Sequence, residues 1–118
     1  ETKVCQGCNL VGADLQSADL KDADLRKARL NHVNLENANL TGANLDGTQL
    51  FKANLRNSDL SNSTLRDAIL HDSDLSDANL TNAKLPRADL TLANFSRADL
   101  QKNISPSLRE QTLRDFSC

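Results

Sequence analysis

The residues of this chain best equipped for chemistry are three cysteines. Cys5 and Cys8 form a C-x-x-C spacing, and Cys118 ends the sequence. Thiols three residues apart can lie buried as small apolar side chains, oxidise to a disulfide, or furnish half of a zinc or thiol-exchange site. Zinc needs a second C-x-x-C or a His pair, and exchange chemistry needs a βαβ setting. His32 and His71 are widely separated, and no such setting surrounds the cysteines. The four glycines, Gly7, Gly12, Gly42 and Gly47, are scattered rather than gathered into a phosphate-cradling loop. No Ser and His stand in a nucleophile–base arrangement. Carboxylates are numerous, but almost all belong to one recurring phrase or to the variable positions beside it. These readings lead to the expectation of no enzyme, no cofactor and no metal.

That phrase must position everything else. Leu10, Leu15, Leu20 and each fifth residue to Leu100 form an uninterrupted row of 19 positions, all Leu except Phe95. Two residues before each stands a small residue, Ala at 13 of the 19. Between them lies Asp or Asn at 14 of 19, the departures being Arg29, Gln49, Thr64, Ile69 and Lys84. On a helix, steps of five would wind the Leu row around the whole circumference. On a straight strand, odd spacing would throw successive Leu onto opposite faces. A chain that bends once per repeat brings every Leu inside, with Asp and Asn at the bends, where their side chains bond nearby backbone. The expected class is an all-β solenoid, a tube lined by Leu with no pocket for a substrate.

In its phrase, as in Ala13-Asp14-Leu15, Ala38-Asn39-Leu40, Ala78-Asn79-Leu80 and Ala98-Asp99-Leu100, the chain resembles the pentapeptide-repeat proteins. The resemblance implies a right-handed quadrilateral β-helix with four repeats per coil. At that spacing Arg29, Gln49 and Ile69 stack in one column, and Thr64 and Lys84 in another. About four and a half coils make a rod about 22 Å long. The expected organisation is a β-helix over residues 1–104, with repeats over 8–102, and a C-terminal helical cap over 105–118. For the cap, Ser107 with Glu110 forms a capping box after Pro106, and Leu108, Leu113 and Phe116 share a helical stripe. Ile104 is expected to pack where the lid begins.

Extending the register backwards puts Cys5 at a Leu-type site and Cys8 at an Ala-type site, both facing inward. A lid at the far end would hold Cys118 about 20 Å from them. A disulfide spans about 6 Å between Cα atoms, so Cys5–Cys8 is the better candidate pair. The C-x-x-C running straight into Asn9-Leu10 is similar to cyanobacterial and chloroplast members exported to the thylakoid lumen. That similarity implies an oxidised pair and a lumenal location; otherwise another oxidising compartment, such as the periplasm, is expected.

Outward positions are polar and mixed in sign, with 14 basic and 16 acidic residues in all. The exception is the column Val11, Asn31, Phe51, His71 and Thr91, with Ile69 beside it and Leu92 near its lower end. Phe51, Ile69, His71 and Leu92 are the candidate partner face. The expected function is a non-enzymatic protein-binding or scaffold rod, monomeric or weakly dimeric. The alternative implied by the resemblance is a DNA mimic that regulates a gyrase-type topoisomerase, which the mixed charge disfavours. No basic stripe points to nucleic-acid binding, and no apolar run points to membrane insertion.

Overall fold

The computed structural model describes residues 3–101. The expected helix, with Ile104 and Cys118, lies outside them.

Each pentapeptide makes one straight side and one corner. The Leu carbonyl accepts the amide of the following small residue across the corner, as in Ala13 to Leu10 and Ala53 to Leu50, both 3.0 Å. The second central residue of every such turn, from Gly7 to Arg97, has φ between 55° and 71°. A positive φ at that position characterises a type II turn. Glycine tolerates it freely, and Asn and Asp tolerate it better than most residues. Pro86, at the first central position of one corner, is pre-set for the same turn.

Four such sides close a coil. Parallel bridges join each middle residue to the one 20 positions on, from Val4–Asp24 to Asn79–Asp99, without a slip. The first side therefore stacks Val4, Asp24, Asn44, Thr64 and Lys84, and the second stacks Asn9, Arg29, Gln49, Ile69 and Asp89. Asp14, Asn34, Asn54, Asp74 and Asn94 form the third, and Asp19, Asn39, Asp59, Asn79 and Asp99 the fourth. From Leu10 to Leu80 each Leu amide donates to the next coil, as Leu55 does to Asp74 at 2.7 Å.

The Leu row fills the tube. From Leu25 to Phe95 every member is at most 5 % exposed. Where Ser or Thr replaces the small Ala, the hydroxyl turns back onto the corner: Thr48, Ser58, Ser63 and Ser73 donate to the carbonyl three residues earlier at 2.6–2.8 Å. No buried side-chain nitrogen or oxygen among the described residues lacks a partner.

All 14 Asp and Asn residues of the phrase act alike. The Oδ1 of each accepts the amide two residues on, the first central residue of the next corner. Three of the five departures have a physical reason. After Gln49, the Phe51 amide is served by Asn31 Oδ1 of the preceding coil at 2.9 Å. After Thr64, the Arg66 amide is served by Asp46 Oδ1 in the same way at 2.8 Å. After Lys84 comes Pro86, which has no amide hydrogen to satisfy.

One expectation is corrected. The tube is not solid throughout: Leu10, Leu15 and Leu20 of the first coil are only partly buried, and the N-terminal end opens into a hollow of about 230 Å³. Among the described residues no full coil lies before Leu10, Leu15 and Leu20, so these side chains pack on the second coil alone.

Candidate functional site

The corner joining the second and third sides carries the largest departure from a polar surface. Phe51 stands there between two imidazoles. His71, one coil below, stacks on its ring with centroids 5.4 Å apart and planes 5° from parallel. His32, one coil above, meets it edge-on at 5.7 Å and 86°. Lys52 Nζ lies 5.4 Å from the ring centroid, within cation–π range. The stack follows from the 20-residue register, which places residues 31, 51 and 71 in one file. Asn31 fixes the Phe51 backbone and donates its Nδ2 to Gln49 Oε1 at 3.2 Å. Phe51 and His71 are half-buried, each covering the other.

Ile69 and Leu92 flank this stack. Ile69 is 42 % exposed on the second side, and Leu92 is 66 % exposed at the corner itself. Val11, 46 % exposed, caps the same file in the first coil. Both Ile69 and Leu92 contradict their local structure. Ile69 occupies a site where an Asp or Asn oxygen normally serves the next corner. Leu92 holds φ at 60°, a conformation unfavourable for a residue with a Cβ. Asp89, next to them, has its carboxyl held below the usual range by the Thr91 hydroxyl and amide and by the charge of His71. The expected partner-face residues are thus near neighbours around one corner. The structure adds His32 to them, which meets Phe51 edge-on.

Cys5 and Cys8 are joined by a disulfide, Cα to Cα 5.3 Å, across the first corner. Among the described residues, no group of three or more His, Cys, Asp and Glu could hold a metal ion. None of their helices is long and apolar enough to cross a membrane.

Charge is more segregated than composition suggests. The stacked columns of the third and fourth sides contain Asp14, Asp74, Asp19, Asp59 and Asp99 and no Lys or Arg. The diagonally opposed corner carries Arg26, Lys27, Arg66 and Arg87 together with Asp46 and Asp67. Fork-shaped ion pairs tie coils together: Arg87 to Asp67 at 2.8 Å and Arg97 to Asp77 at 2.7 Å. Arg26 turns to Asp24 of its own repeat at 2.8 Å, rather than to Asp46 in its column. The guanidinium hydrogen bonds hold the carboxyls of Asp24, Asp67 and Asp77 below the ordinary range.

A sequence profile of the pentapeptide repeats matches the chain in 8 copies, over stretches that together run from residue 4 to 102. Comparison with curated protein sequences gives no match. Among solved structures, HetL, a pentapeptide repeat protein involved in heterocyst differentiation regulation in the cyanobacterium Nostoc, is similar at 36 % identity and a TM-score of 0.83. The likeness covers 87 % of this chain and 49 % of HetL. A pentapeptide repeat protein of the Arabidopsis thaliana thylakoid lumen is similar at 26 % identity and 0.51, over 92 % of this chain and 76 % of that one. QnrB1, a plasmid-mediated fluoroquinolone resistance protein, shares the fold at 22 % identity and 0.67, over 82 % of this chain and 54 % of its own. The chain spans about half the length of HetL and of QnrB1. By the profile match and the unbroken 20-residue register, the chain belongs to the pentapeptide repeat family, and its tube is that family's right-handed quadrilateral β-helix.

Proposed function

We propose that this chain is a non-enzymatic protein-binding scaffold whose docking surface is the corner formed by Phe51, Ile69, His71 and Leu92. The observation that carries the reading is the exposure of Ile69 and Leu92 at positions where the local backbone favours Asn, Asp or Gly. Local rules are broken chiefly where function demands it. Phe51, stacked on His71 and met edge-on by His32, supplies an aromatic centre of the kind that anchors interfaces. An oxidising compartment is the natural setting for the Cys5–Cys8 bond. The likeness to a thylakoid-lumen protein supports that lumen as the location. The test is affinity capture with wild type and Phe51→Ser/Ile69→Ser from the source compartment, each captured protein then being titrated in purified form. Loss of one partner in the variant supports the assignment; identical partner lists overturn it.

The acidic third and fourth sides favour a second reading, a DNA mimic acting on a gyrase-type topoisomerase. Arg56 and Arg97 at the corner between those sides interrupt the acidic field, which weighs against it. The likeness to QnrB1 carries the fold alone. A supercoiling assay decides: inhibition that disappears in Asp59→Asn/Asp99→Asn supports mimicry, and unchanged supercoiling at saturating protein removes it.

A further inference from the structure

The second side and the corner after it carry their exposed charges in order along the tube. Arg29 stands in the second coil and Lys52 in the third, Asp72 in the fourth and Asp89 in the fifth, all four exposed. None of them forms an ion pair with another described residue. Phe51 and Ile69 lie between the basic half and the acidic half. We infer, resting on the docking surface proposed above, that the occupant of that surface is a second copy of this chain. The copy lies antiparallel, about a two-fold axis level with the gap between Phe51 and His71.

The charge order selects this partner and its direction. A two-fold axis in the contact plane sets second side against second side and corner against corner, and inverts the order of the coils. Arg29 then faces Asp89 of the second copy and Lys52 faces its Asp72, and symmetry makes each pair occur twice. Around the axis, Phe51 of each copy faces the Ile69–His71 stretch of the other. Apolar side chains thus hold the centre and charges the rim, the usual anatomy of an interface. A parallel two-fold would set Lys52 on Lys52 and Asp72 on Asp72, which like charges oppose. The patch is about 20 Å tall, four coils at about 4.8 Å each, on a tube 25 × 23 Å in cross-section. It covers about 500 Å² of each copy and about 1,000 Å² in all, the low end for a specific interface. The dimer is therefore weak, with a Kd in the micromolar range.

Sedimentation equilibrium of the full oxidised chain and of two charge variants tests the dimer. Arg29→Glu/Lys52→Glu puts carboxylates at all four positions, and Asp72→Lys/Asp89→Lys puts cations there. The wild type should dimerise reversibly with concentration, and less so in high salt. Each variant alone should self-associate about tenfold more weakly or worse, since every pair becomes repulsive. An equimolar mixture of the two should form a heterodimer at wild-type affinity or better, since every pair becomes attractive again. The corner-only variants Lys52→Glu and Asp72→Lys, which leave Asp89 serving the Thr91 amide, repeat the test with the turn intact. A wild type that stays monomeric at millimolar concentration, or mixtures no more associated than their components, would overturn the second copy as occupant. If that monomer still captures another protein that Phe51→Ser/Ile69→Ser loses, the docking corner stands and belongs to that protein. If the captured proteins are identical, the corner falls as well.

Discussion

At Ile69 the chain departs from the rule its own repeats establish. Each of the 14 Asp and Asn residues in the phrase lends an oxygen to the amide two positions on, and Ile69 has none to lend. Leu92 departs differently, holding a left-handed backbone with a large exposed side chain. If both were kept for stability, replacing them should lower it. The geometry argues the reverse. Ile69→Asn restores the turn acceptor, and Leu92→Asn places a residue that tolerates positive φ. Each is expected to raise stability by about 0.5–1 kcal/mol, on the scale of one net hydrogen bond or one relieved strained residue, while weakening partner capture. Urea midpoints of the single variants check this, and a lowered midpoint in both would return these side chains to a structural role. The turn-serving role of Asp and Asn was legible from their type and place in the phrase. The relays from Asn31 to Phe51 and from Asp46 to Arg66 were not, because they join residues 20 apart that only the closed coil brings together.

The elements are sides and corners, and their worth depends on where in the stack they fall. Leu55 lies mid-tube and 1 % exposed, so Leu55→Ala should cost about 2–5 kcal/mol through the cavity it leaves. Arg56 is an exposed corner residue, and Arg56→Ala should change the denaturation midpoint little. Equal midpoints for the two variants would contradict the division into lining and surface. The first coil is held differently, by ladder bonds on one side and by the disulfide. In a solenoid, stability is nearly a sum over neighbouring units, so a terminal unit loosens without unfolding the rest. Reducing Cys5–Cys8 should therefore speed amide exchange at Leu10 and Gly12, while Leu55 and Leu60 exchange as before. Exchange that rises evenly along the chain would show instead that the bond braces the whole tube. A period of five made the tube legible, since neither helix nor straight strand could bury that row. The hollow at the first coil was not legible, because that coil carries the same phrase as an interior one.

For the molecule as a whole, the parallel register turns sequence charge into vertical arrangement. Residues 20 apart become near neighbours, so Asp67 meets Arg87 and Asp77 meets Arg97 across successive coils. A pH prediction follows from these pairs together with Asp24 and Asp89. All four carboxyls titrate below their ordinary values in the folded chain: Asp24, Asp67 and Asp77 through guanidinium hydrogen bonds, Asp89 through the Thr91 hydroxyl. A carboxyl with a depressed folded pKa binds protons more readily in the unfolded chain. Its stabilising contribution is complete above the unfolded value near 4, and falls away as pH drops toward the folded value. The tube should therefore keep its urea midpoint from pH 7 to about pH 5 and lose stability progressively below about pH 4. Asp67 and Asp89 are solvent-exposed and Asp24 and Asp77 partly so, and salt should shrink the effect. The double variant Arg87→Gln/Arg97→Gln separates the pairs from the other carboxyls. It should lower the neutral midpoint slightly, since exposed pairs contribute little, and flatten the acid limb by the same small amount, because Asp67 and Asp77 would regain ordinary affinity for protons in the folded state. Coincident acid limbs for wild type and variant would mean that the inter-coil pairs add nothing, leaving the Leu lining and the backbone ladder to hold the coils together.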